Sequence, residues 1–258
     1  MLDTIEAVHS RKFPVRFDQG RHPRAKIGFV VLASEQTVEA DCFKLAPPGV
    51  GIHLSRIAVP QDVDVAGLKT MEASLGAAAA LLNPYDNLDV SCYTCNCATM
   101  VIGEKRVRDL LAQGRPGATA TTVMTGVVRG LRAVGARKIV VGTPYLDEIN
   151  AQVLRFLREN GFEVLEIQGL NLPTDHDMVR VEPEFLREFG AGLDRPDADA
   201  VFICCGALRT LDIVGALENQ LNKPVVVSNQ AMMWDCLRLA GVEDRIDGYG
   251  RLMQLPGL

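Results

Sequence analysis

The chain contains no apolar run approaching 18 residues, so no segment of it is expected to span a membrane as a helix. The stretch MLDTIEAVHSRKFPVRFDQGRHPRAK has no apolar core of the kind that directs secretion. There is no basic excess: 27 Lys and Arg face 32 Asp and Glu, a net charge of −5 that weighs against a nucleic-acid partner. No GxGxxG and no phosphate-loop signature occurs. These absences predict a cytoplasmic protein with reduced thiols, no membrane partner and no nucleic acid.

What is present is core material. The 258 residues are 48% hydrophobic and 23% charged, enough for one large or two small domains. The first 25 residues are polar and locally basic, and read as an arm, solvated or lying on a partner subunit. After them strand-like and helix-like segments alternate. KIGFVVLAS (26–34), VGIHLSRIAV (50–59), LDVSCYTC (88–95) and ATATT (118–122) read as strands. Stretches 65–83, 99–114 and 123–135 between and after them have helical periodicity. The pattern then recurs. Strands are expected at 137–145, 162–170, 198–206 and 224–229, and helices at 146–161, near 183–192, at 208–222 and at 231–242. Such alternation predicts βαβ units and a parallel sheet.

The recurrence is also a repeat of residues. Lys26-Ile27 matches Lys138-Ile139 at an offset of 112, Leu131-Arg132 matches Leu237-Arg238 at 106, and Asp89 matches Asp199 at 110. Six residues beyond each aspartate stands a cysteine, Cys95 and Cys205. Two α/β halves of similar design would each place one thiol at the carboxyl end of an equivalent strand, where open parallel sheets bind ligands. Two such halves facing each other would set the thiols on either side of one cleft.

The seven cysteines are an odd number, which a complete disulfide framework would not use. DVSCYTCNCAT (89–99) invites a metal reading, but no histidine lies near it in sequence and the second cluster is the adjacent pair Cys204-Cys205, so no metal is expected. A Cys92–Cys95 disulfide fits a strand poorly, because three residues at roughly 3.3 Å each separate the Cα atoms by about 10 Å, against a usual limit of about 7 Å. A thioredoxin-type pair rests on the CxxC spacing alone. Cys42, Cys92, Cys204 and Cys236 read as small buried hydrophobes. Cys95 and Cys205, at strand ends ahead of expected helix N-termini, read as reactive thiols whose thiolates the dipole and free N–H groups would favour. Those N–H groups, with Asn96, Cys97 and Gly206, could cradle a carboxylate.

IGFVVLASEQTVE, CYTCNCATMVIG, VVGTPYLDEIN, DAVFICCGALRTLD, PVVVSNQAMMWDCLRLAG and the tail GYGRL together resemble the aspartate/glutamate racemase superfamily, in the branch of maleate cis-trans isomerases and arylmalonate decarboxylases. The resemblance runs from Lys26 to Met253, and the first two blocks look most like isomerase-type proteins found with ectoine-utilisation genes. It implies two pseudo-symmetric flavodoxin-like parallel-sheet halves with the active site between them. The expected division is an arm at 1–25, a first half at 26–122 completed by 229–258, and a second half at 123–228. It also implies chemistry without a cofactor and a homodimer or higher homo-oligomer.

The resemblance makes Cys95 and Cys205 the catalytic pair, and Tyr145 a hydrogen-bond donor to substrate oxygen. Asn96, Cys97, Gly206 and Ala207 would bind the carboxylate. The decarboxylases carry glycine at the first cysteine position, so the presence of both thiols favours a racemase or cis-trans isomerase of a small carboxylate. Maleate is the sharpest named substrate, a decarboxylase the alternative, and a non-catalytic carboxylate-binding protein the alternative of another class. Two departures stand out. Maleate isomerases have carboxamides where this chain has Glu35 and Asp175. Two acids facing the site would repel a dicarboxylate and suit an ammonium or amidine group, unless either one turns away as a helix cap. His176 reads as a solvent-exposed loop residue.

Overall fold

The computed structural model describes residues 9–60 and 64–257, so residues 1–8 of the expected arm lie outside the described residues. The chain runs β1 (Ala25–Leu32), α1 (Val38–Leu45), β2 (Val50–Ile57), α2 (Val65–Thr70), α3 (Glu72–Ala80), β3 (Val90–Tyr93), α4 (Asn96–Ile102), α5 (Glu104–Gly114) and β4 (Thr119–Thr122). It continues with α6 (Val123–Ala133), β5 (Lys138–Thr143), α7 (Asp147–Glu159), β6 (Glu163–Gly169), α8 (Asp175–Met178), α9 (Pro183–Gly192), β7 (Ala200–Ile203), α10 (Val214–Leu221), β8 (Val225–Val227) and α11 (Ser228–Leu239). Short 3-10 turns precede α10 and close the chain at Arg251–Gln254.

Two four-stranded sheets result, ordered β2-β1-β3-β4 and β6-β5-β7-β8, with every pairing parallel. The fold is α/β and its two sheets repeat one flavodoxin-like order. The central strands VSCY and AVFI are buried along their whole length, and AKIGFVVL at every residue but Lys26, as expected where helices cover both faces. The repeat reaches the hydrogen bonds. Asp89 Oδ2 accepts from Lys26 N at 2.7 Å, and Asp199 Oδ2 accepts from Lys138 N at 2.7 Å and Arg137 N at 2.9 Å. Each aspartate thus ties the start of its central strand to the strand that carries a cysteine. The two N–H groups hold the Asp199 carboxyl below its ordinary value.

Helices α6 and α11, which follow the last strand of each sheet, pack directly on one another. They approach so closely that a Cβ on Gly126 would lie 2.9 Å from the Ala231 carbonyl oxygen. Local sequence accounts for most of the departures from expectation. The stretch 99–114 forms two helices, α4 starting at Asn96 and α5 starting after Gly103, which sits in the left-handed region at φ 97. The stretch 65–83 is likewise divided at Met71. Helix α1 was not expected; its buried Val38, Asp41, Cys42 and Leu45 mark one helical face in only eight residues. Cys42, Cys92 and Cys236 pack in the core on α1, β3 and α11, all fully buried. Among the described residues no helix is long and apolar enough to cross a membrane.

Candidate active site

Both sheets end at one cavity. It is lined by Glu35, Thr94, Cys95, Asn96, Cys97, Tyr145, Asp175, Cys205, Gly206 and Ala207, closed on one side by Leu32, Val59 and Leu68. All nine residues singled out from the sequence therefore meet at one place. Its free volume of ≈ 30 Å³ is a small fraction of the several hundred Å³ common in ligand pockets, so the site is narrow and suits a compound of few carbons. A wider hollow of ≈ 480 Å³ opens on the far side of Thr37, between α1 and the Arg209 loop, and none of its walls is a cysteine.

Cys95 follows β3 after one intervening residue and caps α4: its Sγ accepts from Ala98 N at 3.4 Å. Asn96 and Cys97 are the first residues of that helix, so their N–H groups have no acceptor within it. Cys205 follows β7 in the same way, and its Sγ accepts from Ala207 N at 3.4 Å. The second corner nonetheless differs from expectation. The helix expected at 208–222 begins only at Val214, so Cys205 gains no helix N-terminus. It sits instead on a turn with φ 116, unusual for a residue with a Cβ. That conformation is held from behind. Cys205 N donates to Ser228 Oγ at 3.0 Å, Asn229 Nδ2 to the Gly206 carbonyl at 2.9 Å, and Thr37 Oγ1 to the Ala207 carbonyl at 2.9 Å. With the Gly206 carbonyl drawn away, the trans peptide turns the Ala207 N–H the other way, toward the thiol. A Cβ at Gly206 would stand 3.1 Å from both Asn229 Oδ1 and Val38 Cγ2, so the turn has no slack.

One serine joins the two corners. Ser228 Oγ also accepts from Asn96 Nδ2 at 2.9 Å, and that amide lies 3.5 Å from Cys204 Sγ. The Asn96 amide nitrogen is therefore spent inside the protein, and what Asn96 offers a ligand is its backbone N–H. Glu35 is likewise turned inward: its Oε1 accepts from Gln36 N, Thr37 N and Val38 N at 2.7–3.0 Å and caps the start of α1. Glu35 thus takes the helix-cap role that the sequence left open beside a hold on substrate, while still lining the cavity. Asp175, at the start of α8, accepts from Ser34 Oγ at 2.6 Å, a bond that ties the second half to the β1–α1 turn of the first across the cavity.

Burial dominates the electrostatics. It pushes the Cys95 thiol up to about 12 and the Cys205 thiol well above the usual cysteine value, and the Asp175 charge raises both further. The N–H of Ala98 and the Tyr93 hydroxyl work the other way on Cys95; the Tyr145 hydroxyl and the Ala207 N–H do so on Cys205. Each thiol thus has one tyrosine beside it. The dipole-favoured thiolates expected from the sequence are opposed by desolvation, which favours the thiol form of both residues. Sequence reasoning missed Tyr93, Ser34, Ser228 and Asn229. Only Tyr93 left a signal, since two residues before Cys95 on an extended segment it shares the face of that thiol. His176 is exposed, 3.4 Å from Arg180.

The profile of the arylmalonate decarboxylase family matches residues 104–253. An arylmalonate decarboxylase of Bordetella bronchiseptica is 37% identical over 142 residues, which are 53% of this chain and 58% of that protein, so the match spans little more than half of that relative. A maleate isomerase of Pseudomonas putida is 28% identical over 243 residues, 88% of this chain and 96% of that protein. A solved structure of a cysteine variant of the Nocardia farcinica maleate cis-trans isomerase, with a covalently bound succinylcysteine intermediate, superposes with a TM-score of 0.82. It is 25% identical and covers 89% of this chain and 98% of that one.

Proposed function

The chain belongs to the arylmalonate decarboxylase family, and from that premise we propose that it is a cofactor-independent isomerase of a small carboxylate, with Cys95 and Cys205 as its two acting thiols. The observation that carries this reading is the convergence of both cysteines, each at the carboxyl end of an equivalent strand, on one small cavity. The substrate carboxylate lies against the N–H groups of Asn96, Cys97 and Gly206, which neutralise its charge without a cation. The Tyr145 hydroxyl donates to a substrate oxygen. In the cis-trans form of the chemistry, one cysteine loses its proton to solvent as the substrate enters, and its thiolate adds to the alkene. The electron pair passes to the neighbouring carbon, which takes a proton from the other thiol. The new single bond rotates; the second thiolate then removes that proton, the C–S bond breaks and the alkene returns. The succinylcysteine of the Nocardia protein is an adduct of this kind. In the racemase form, one thiolate removes the proton alpha to the carboxylate and the opposite thiol returns one to the other face.

Decarboxylation is the second reading, favoured by the identity to the Bordetella enzyme. A panel of small carboxylates incubated with the enzyme in D2O separates them. Fumarate from maleate marks a cis-trans isomerase, alpha-deuterium a racemase, and CO2 a decarboxylase; ligand-induced stabilisation without turnover would reduce the chain to a binding protein. The same reading makes it a cytoplasmic homodimer or larger homo-oligomer. Seven free thiols suit a reducing compartment. Exposed Phe13 and Phe17 on the N-terminal arm suit a covered position on a second subunit.

A further inference from the structure

The walls of the cavity carry no lysine, arginine or histidine among the described residues, yet they carry two carboxylates. An enzyme acting on a dicarboxylate needs donors for both ends. Here the donors are the backbone N–H groups beside Cys95 and Cys205 and the Tyr145 hydroxyl, none of them a cation. The carboxylates have different fates. Glu35 commits one oxygen, Oε1, to three backbone N–H groups at the start of α1. Asp175 has one hydroxyl partner, Ser34. A carboxylate accepts about four hydrogen bonds, so Asp175 retains acceptor capacity inside the cavity.

Resting on the proposed isomerase reading, we infer that Asp175 selects a substrate whose second polar group is a cationic nitrogen, an ammonium or amidinium, so that the substrate is an amino carboxylate and not a dicarboxylate. The carboxylate end lies on the N–H cradle and the nitrogen end on Asp175, with the reacting carbons between the two sulfurs. Electrostatics at the thiols agrees. Asp175 raises both cysteines, and a second substrate carboxylate would raise them again, whereas a cation held on Asp175 cancels its effect and eases formation of the thiolate. Substrate charge thereby also switches on the nucleophile or base.

The test compares two unreactive ligands of similar length, succinate and 4-aminobutyrate, by isothermal titration calorimetry. The protein as described binds 4-aminobutyrate about 10- to 100-fold more tightly than succinate. Asp175→Asn keeps an acceptor for Ser34 and turns a repelling group into one that donates, so the preference reverses and succinate gains about 100-fold. Asp175→Ser, a smaller change of the same sign, abolishes the preference and serves if the asparagine variant folds poorly. Succinate binding as tightly as 4-aminobutyrate to the unaltered protein overturns the inference. So does an unchanged preference in both variants, including no binding of either ligand to any of the proteins. The isomerase reading is judged separately, by turnover in the D2O panel: its failure would leave this binding preference standing, and the converse.

Discussion

Asp41 should make the stability of this protein fall with rising pH in a window where acidic residues usually raise it. The residue lies on α1, 4% exposed, and its Oδ2 accepts from Asn229 Nδ2 at 2.8 Å, the same amide nitrogen that holds the Gly206 carbonyl. Burial raises its carboxyl from 3.8 to about 6, against the opposing pull of the Asn229 bond and Lys44; Asp212 and Glu35 add to the rise. Between those two values the native protein binds more protons than the unfolded chain. Stability therefore falls as pH rises from about 4 to about 6 and stays lowered above it. The cost of the ionised form is about 3 kcal/mol. Asp41→Asn removes the charge, keeps an acceptor for Asn229 and leaves other titrations in place. Urea unfolding of both proteins from pH 4 to pH 8 isolates the effect as a difference. The variant should gain about 3 kcal/mol relative to the unaltered protein across that range, and be the more stable of the two at pH 8. A difference that does not change with pH, or a variant less stable at pH 8, would refute the reasoning.

Other expectations follow from single contacts. Cys95, raised from 9.0 to about 12, should be alkylated by iodoacetamide at pH 8 about a thousandfold more slowly in the ligand-free protein than an exposed cysteine, read by peptide mass spectrometry; labelling at the ordinary rate would contradict the buried-thiol picture. Gly126→Val drives a side chain into the α11 backbone, 2.9 Å from the Ala231 carbonyl, and should cost about 2 kcal/mol or more in urea unfolding. Glu35→Ala strips the start of α1 of an oxygen that serves three N–H groups and should cost about 1–2 kcal/mol, measured the same way.

The repeat was the most legible part of the molecule, because it is written in residues that make the same hydrogen bonds twice. Asp89 and Asp199 each tie down the start of a central strand, and counting six onward from either reaches a thiol. Helix ends were less legible. Gly103 divides one helix by a backbone angle, which periodicity does not register, and α1 is too short for its apolar face to stand out. The back of the site was nearly invisible. Ser228 and Asn229 reach the corners that carry the cysteines from the start of α11, more than 20 residues beyond Cys205. Their role depends on how α11 crosses between the halves, not on any local pattern. Glu35 shows the converse: its chemistry was visible, but the three N–H groups that claim it appear only once α1 is known to form.

Two thiols acting on one substrate from opposite corners of a single cavity must both be needed for turnover. Turnover by Cys95→Ser and Cys205→Ser, measured on whichever member of the D2O panel the unaltered enzyme converts, tests that need most directly. Serine keeps the shape but loses thiolate chemistry, so each single substitution should reduce turnover at least about a thousandfold, and the double variant should fall little further, as groups acting as a unit do. Full activity in either single variant would contradict the two-thiol account.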